Sequence, residues 1–157
     1  LSAARSTAVE PAVIIHGVAA DEALHAANAA FYAAFEAGDL DAMAEVWERS
    51  DRCRVTHPGW PTLHGWPKVA GSWQAIFSST PFIQFVLTDE RALVVGDVAV
   101  VTLDENILQA TGGADDGGAG TDELSGARVA ATNLFVRDGD RWRMVHHHGS
   151  PVGADVS

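Results

Sequence analysis

Residues 131–152, ATNLFVRDGDRWRMVHHHGSPV, decide how the rest of the chain is read. Two apolar runs flank Asp138-Gly139-Asp140. Asp-Gly between such runs predicts a β-hairpin, because glycine supplies the positive φ of a tight turn. The second strand closes on three successive histidines, His146, His147 and His148, before Gly149-Ser150-Pro151 stops it. The triplet is internal and short, so it is part of the protein and not a purification tag. Everything upstream reads as a scaffold for this hairpin to face.

Successive side chains of a strand point to opposite faces. Unbroken alternation puts Val129, Ala131, Asn133 and Phe135 on one face of the first strand, with Ala130, Thr132, Leu134 and Val136 on the other. Both sets are mainly apolar, so both faces are expected to be covered, one by helices and one by a second copy of the chain. In the last strand Val145 and His147 share a face, opposite Trp142, Met144, His146 and His148. A single β-bulge would exchange these sets. The preceding strand, 97–109, carries Asp104 and Glu105 among valine, leucine and isoleucine. An acidic group there is costly unless paired, hydrated or used, so one of them should face a cavity or an interface.

Working back towards the start, a glycine- and aspartate-rich loop, Thr111 to Gly120, separates the hairpin from two long strands, 82–95 and 97–109. Before them, Leu24, Ala27, Phe31, Ala34 and Phe35 recur at helical spacing. Asp21 is a suitable N-cap and Gly38 a suitable stop. A second helix is expected from about Leu40 to Glu48, and a short strand from Arg52 to His57. The loop Trp60–Gly65 precedes a third helix from about Trp66 to Ser78, with Pro67 in its first turn. Residues 1–20 read as an irregular arm, 21–152 as one domain and 153–157 as a tail. Three helices and a meander of strands make an α+β layer arrangement.

Bulk properties narrow the function. A chain of 157 residues with 47% hydrophobic content suits one soluble domain. Its net charge of −11 disfavours nucleic acid and anionic membranes as partners, since both reward a basic face. The single cysteine, Cys53, rules out an internal disulfide and any multi-cysteine metal site. That is compatible with a reducing cytoplasm, the expected location. No apolar run has the length to span a bilayer. The chain begins with Leu1 and not Met, which leads us to expect processing ahead of it.

The helix–helix–strand order, the segment HPGWPTLHGWPKVAGSWQAIF and the ending WRMVHHHGSP resemble a SnoaL-like domain of the nuclear transport factor 2-like superfamily. The superfamily also holds ketosteroid isomerases, scytalone dehydratase and limonene epoxide hydrolase. The final hairpin is similar to the association domain of calmodulin-dependent kinases too. The resemblance spans roughly Asp21 to Val152. It implies a cone-shaped barrel of three helices packed on a curved, mostly antiparallel sheet, with an apolar pocket inside and assembly as dimers. Matching the hairpin to the kinase association domain turns Asn133, His147 and Gly149 towards the pocket, with Glu105 on the adjacent strand. That domain has arginines at the positions of Glu105, Asn133 and Gly149, so a similar anion pocket is not expected. The isomerase pattern of one tyrosine and two aspartates has no clear counterpart. Tyr32, the only tyrosine, sits on the first helix, where it could line the cone.

The candidates for chemistry are Glu105, His147, His57 and Asn133. Glu105 or His147 would act as a general base, and Asn133 or His57 as a donor to a developing oxyanion. Each also has a plain structural role: the histidines as hydrogen-bonded core or strand-end groups, and Asn133 as an amide satisfied by His147. The candidates for ligand contact are Tyr32, Phe35, Trp47, Trp60, Trp73 and Phe135, with Trp60 as a lid. A metal site from His57, His64, a C-terminal histidine and Glu105 is chemically conceivable, but no helical HxxxH spacing supports it. We expect no metal and no cofactor. Cys53 reads as inert. The expected function is binding of a small apolar, oxygenated organic molecule, with acid/base chemistry of isomerase, cyclase or dehydratase type. The alternative is a non-catalytic homodimeric ligand-binding or assembly module, dimerised through the outer sheet face.

Overall fold

The structure is a computed structural model and describes residues 18–110 and 123–153. The loop Thr111–Gly120 and most of the expected arm and tail lie outside the described residues. The elements run α1 (Val18–Ala37), α2 (Leu40–Val46), β1 (Arg54–Thr56), β2 (Leu63–His64), α3 (Trp66–Ser79), β3 (Phe82–Val95), β4 (Val98–Ala110), β5 (Leu124–Asp138) and β6 (Arg141–Pro151). Helix α1 starts three residues before Asp21, so Asp21 lies in its first turn and not at its cap. Gly38 ends the helix at φ +60°. Asp39 then caps α2, its Oδ1 accepting from the Ala42 N–H at 3.0 Å.

The six strands form one open mixed sheet in the order β2-β1-β6-β5-β4-β3. Strands β3 to β6 make the expected antiparallel meander, and β1 runs parallel to β6. Leu63-His64, read as part of a loop, pairs with β1 instead. So short a strand exists only because β1 offers it an edge, which local sequence does not show. At Gly139 φ is +60°, at the first of two turn residues, where type II′ hairpins use glycine.

The alternation in β6 is broken. Phe135 pairs with Met144 and Leu134 with His146, so Val145 is an extra residue, a β-bulge. Trp142 and Met144 therefore share the inner, helix-facing side with His147 and Gly149, while His146 and His148 face outwards. The expectation that Trp142 and Met144 lie opposite His147 is thereby corrected. The bulge lets the strand bury indole, thioether and imidazole together. A second irregularity in β3 sets Asp89 and Glu90 against Leu103 alone, with Asp89 at φ 53°.

The core lies between the inner face of the sheet and the three helices. Phe31, Trp47, Trp73, Phe135 and Met144 are 0% exposed, and burying each contributes roughly 1.5–3 kcal/mol. Arg137 lies over the ring of Trp142, 4.3 Å from its centroid, closing one end of the layer.

Candidate functional site

Four polar side chains meet inside this apolar layer, each carried in by a different element. Tyr32 projects from the buried stripe of α1, Glu105 from β4, Asn133 from β5 and His147 from β6. Because β4, β5 and β6 are adjacent, the inner-face positions converge. Their exposures are 4% for Tyr32, 3% for Glu105, 0% for Asn133 and 2% for His147.

They form one hydrogen-bonded chain. The Tyr32 hydroxyl donates to Glu105 Oε2 at 2.6 Å. The Asn133 amide donates to Tyr32 Oη at 3.2 Å and to Asn28 Oδ1 at 2.9 Å. Asn133 Oδ1 is 2.6 Å from His147 Nδ1. An amide oxygen only accepts, so the His147 proton sits on Nδ1 and the lone pair on Nε2. Asn28 carries the chain to the surface, donating to Glu90 Oε1 at 3.4 Å. Asn133 spends both amide hydrogens and its oxygen inside the protein. It positions Tyr32 and His147 and has no hydrogen left for a ligand.

Burial shifts the titrating groups. It pushes Glu105 up to about 7, against a smaller opposing contribution from the Tyr32 hydrogen bond. It also raises Tyr32 strongly, helped by the Glu105 carboxylate, so the phenol stays protonated. Desolvation holds His147 well below its ordinary value, with His57 adding to the effect. The same cause brings His57 down to about 4. Near neutral pH the core thus holds two neutral imidazoles and one carboxyl poised between its two forms.

His57 lies beside the chain, its ring centroid 6.5 Å from that of His147. His57 Nε2 is 2.9 Å from Ser72 Oγ, and Ser72 donates to the Val69 carbonyl at 2.6 Å. The serine has one hydrogen, so it receives the His57 Nε2 proton. Trp60, 41% exposed, meets the His57 ring edge-on at 5.0 Å and stands over this end of the core. Phe35 and Trp73 contact each other at 4.9 Å; Trp73 meets the His147 ring, whereas Phe35 packs on Phe31 and Phe85, one layer away from the chain. Trp47 touches Trp66 and Trp73. Phe135 is buried opposite Met144, one inner position along β5 from Asn133.

Asn28 and Ser72 were missed, although each left a signal. Asn28 interrupts the Leu24–Phe31 apolar stripe of α1, and Ser72 interrupts that of α3. Cys53 is buried and its thiol pushed up, in keeping with an inert group. Among the described residues no three His, Cys, Asp or Glu side chains converge as a metal-ligand set. A cavity of about 690 Å³ lies on the other side of α1, lined by Ala26, Ala30, Ala33, Glu45 and Arg141, away from the polar chain. A Cβ on Gly149 would stand 3.1 Å from both Pro58 Cγ and Val129 Cγ1, tighter than an ordinary contact, so a larger residue there requires these side chains to shift. Among the described residues no helix is long and apolar enough to cross a membrane.

Comparison with known proteins gives a consistent picture. The family model described as a SnoaL-like domain matches residues 24–154. A solved structure from Streptomyces avermitilis, described as a candidate dehydratase of the NTF2-like family, is 38% identical, with a TM-score of 0.79. It is matched over 88% of this chain and 100% of that one. A candidate calcium/calmodulin-dependent protein kinase type II association domain from Thiobacillus denitrificans is 35% identical, with a TM-score of 0.69, over 82% of this chain and 94% of that one. The F-box protein SKIP8 of Arabidopsis thaliana is 27% identical over 137 residues, 87% of this chain. The chain spans about half the length of that curated relative, 53%.

Proposed function

Because this chain belongs to the family of SnoaL-like domains, we propose that it binds a small apolar, oxygen-bearing organic molecule within the core and performs acid/base chemistry on it. The observation that carries this reading is the buried Glu105–Tyr32–Asn133–His147 chain, with a carboxyl that titrates at about 7. A carboxyl held in place and titrating near the working pH is suited to take and return a proton.

In this reading Tyr32 holds Glu105 Oε2, and Oε1 receives the proton from a ligand carbon beside a carbonyl. Returning it to another carbon completes an isomerisation. Releasing it with a hydroxyl leaving group, as water, completes a dehydration. Asn133 and His147 keep Tyr32 and Glu105 aligned, and Trp60 stands over His57 at one end of the core.

The test uses 2-tetralone in deuterated water, with α-proton exchange followed by NMR. The protein should accelerate exchange, and Glu105→Gln should lose at least about 100-fold of that rate while keeping its circular dichroism. Exchange no faster than in buffer would remove the catalytic reading.

A second reading is supported by the members of the same chain being hydrogen-bonded to one another, and by the likeness to an association domain. In it the protein is a non-catalytic homodimeric module, paired through the outer sheet face. One rung of that face carries Leu93, Val100, Leu134, His146, Arg54 and His64 from β3 to β2. Self-association through this face is compatible with either reading.

A further inference from the structure

Trp73 on α3 is 0% exposed, and its indole Nε1 is a buried donor with no hydrogen-bond partner among the described residues. An unpaired buried N–H costs about 1–3 kcal/mol, and a buried indole N–H ordinarily finds an acceptor. Trp47 finds one, donating to Met43 Sδ at 3.3 Å. Trp73 is enclosed by Phe31, Phe35, Phe77 and Trp47, none of which offers an acceptor. Its two remaining ring neighbours are imidazoles: His57, edge-on at 4.7 Å and 88°, and His147 at 6.0 Å.

Each imidazole has one nitrogen committed, His57 Nε2 to Ser72 and His147 Nδ1 to Asn133. The other nitrogen of each, His57 Nδ1 and His147 Nε2, carries a lone pair with no partner among the described residues. This junction of three rings thus holds one unpaired buried donor, and two imidazoles that each have one ring nitrogen outside any hydrogen bond among the described residues.

We propose that this junction is a subsite for a single hydroxyl oxygen, and that the ligand places an alcohol, enol or phenol there. A hydroxyl accepts from the Trp73 indole and donates to one imidazole. A carbonyl or ether oxygen can only accept, and leaves the imidazoles unpaired. This rests on the ligand-binding reading above and specifies the chemistry of that ligand. Since the amide hydrogens of Asn133 and the proton of His57 are already spent, Trp73 becomes the donor that fixes ligand oxygen.

The test compares 2-naphthol with 2-methoxynaphthalene, which have the same ring and differ in the donor hydrogen. In ¹⁵N-labelled protein the five tryptophans give five indole signals. That of Trp73 is identified by its loss in Trp73→Phe or, if that variant fails to fold, by its through-space contacts to Phe31 and His147. 2-Naphthol is expected to move the Trp73 signal downfield and to bind at least about tenfold more tightly than the ether. That gap should close in Trp73→Phe. Equal affinities, or a Trp73 signal that 2-naphthol leaves unmoved, would overturn the hydroxyl subsite while leaving a core ligand site in place. Absence of binding by both molecules at millimolar concentration would overturn the ligand-binding reading, and this inference with it.

Discussion

Glu105 and the two inner histidines pull the stability of this protein in opposite directions with pH. Glu105 titrates at about 7 when folded, against an ordinary 4.5. Its folded value is raised, so its contribution is fully present below about 4.5 and is lost as pH rises towards 7. A shift of this size corresponds to about 3 kcal/mol. His57 titrates at about 4 against an ordinary 6.5, so its contribution is present above 6.5 and is lost as pH falls towards 4. The two trends oppose each other between roughly pH 4.5 and 6.5. In Glu105→Gln only the histidine trend remains. Urea midpoints measured from pH 4.5 to 7.5 should therefore climb more steeply in this variant than in the parent chain. Parallel curves would show that Glu105 is not desolvated. Tyr32→Phe removes the donor to Glu105 and leaves Asn133 with one amide hydrogen unpaired. It should destabilise the fold by about 1–3 kcal/mol in urea titrations.

At the level of elements, the Val145 bulge decides which histidine joins the buried chain. Deleting Val145 leaves Trp142, Met144 and His147 at alternate positions of an unbulged strand, so all three can stay on the inner face. The deletion should therefore keep a cooperative urea transition, at a cost of about 1–3 kcal/mol for the lost Val145 contacts. Loss of the cooperative transition would show that the bulge itself holds the strand in place. Gly149 makes the matching statement four residues on. A methyl group there meets Pro58 and Val129 at 3.1 Å, so Gly149→Ala should lower stability by about 1–3 kcal/mol. Val145 and Gly149 together fix the end of β6 against β1 and the Pro58 turn. The approximate extents of the strands were legible from alternation and turn residues. The bulge was not, because an extra residue in an apolar strand leaves no local mark. Only its partner, β5, shows that the register has moved.

At the level of the whole molecule, the outer sheet face remains to be accounted for. Leu93 and Val98 on this face are 42% and 40% exposed, and Leu134 sits near the middle of the same surface. If two copies pair here, as proposed, Leu134→Glu should convert the protein to a monomer in light scattering, with unchanged circular dichroism. The same face carries His146, lowered by burial and by His148, Arg54 and His64 around it. Pairing buries His146 further, so proton uptake favours separation. The dissociation constant should rise about tenfold or more between pH 7.5 and 5.5, and less in His146→Gln. A monomer at every pH would dismiss the pairing itself, whereas a pH-independent dimer would dismiss only the role of His146.

What the sequence by itself determined is the hairpin, the family and the list of elements apart from β2. Helical spacing, strand alternation and Asp-Gly turns are local properties, written in consecutive residues. The inward placement of Asn133, His147 and Glu105 followed from aligning that hairpin with known relatives, and Tyr32 was legible only as a first-helix residue in a position to line the cone. What only the tertiary structure decided is how these groups are paired. The bonds from Tyr32 to Glu105 and from Asn133 to His147 link residues 73 and 14 positions apart. Which amide hydrogens are spent, which imidazole nitrogen keeps its lone pair and which indole goes unpaired depend on distances and burial. Those are set by the packing of four elements against one another, and no spacing along the chain encodes them.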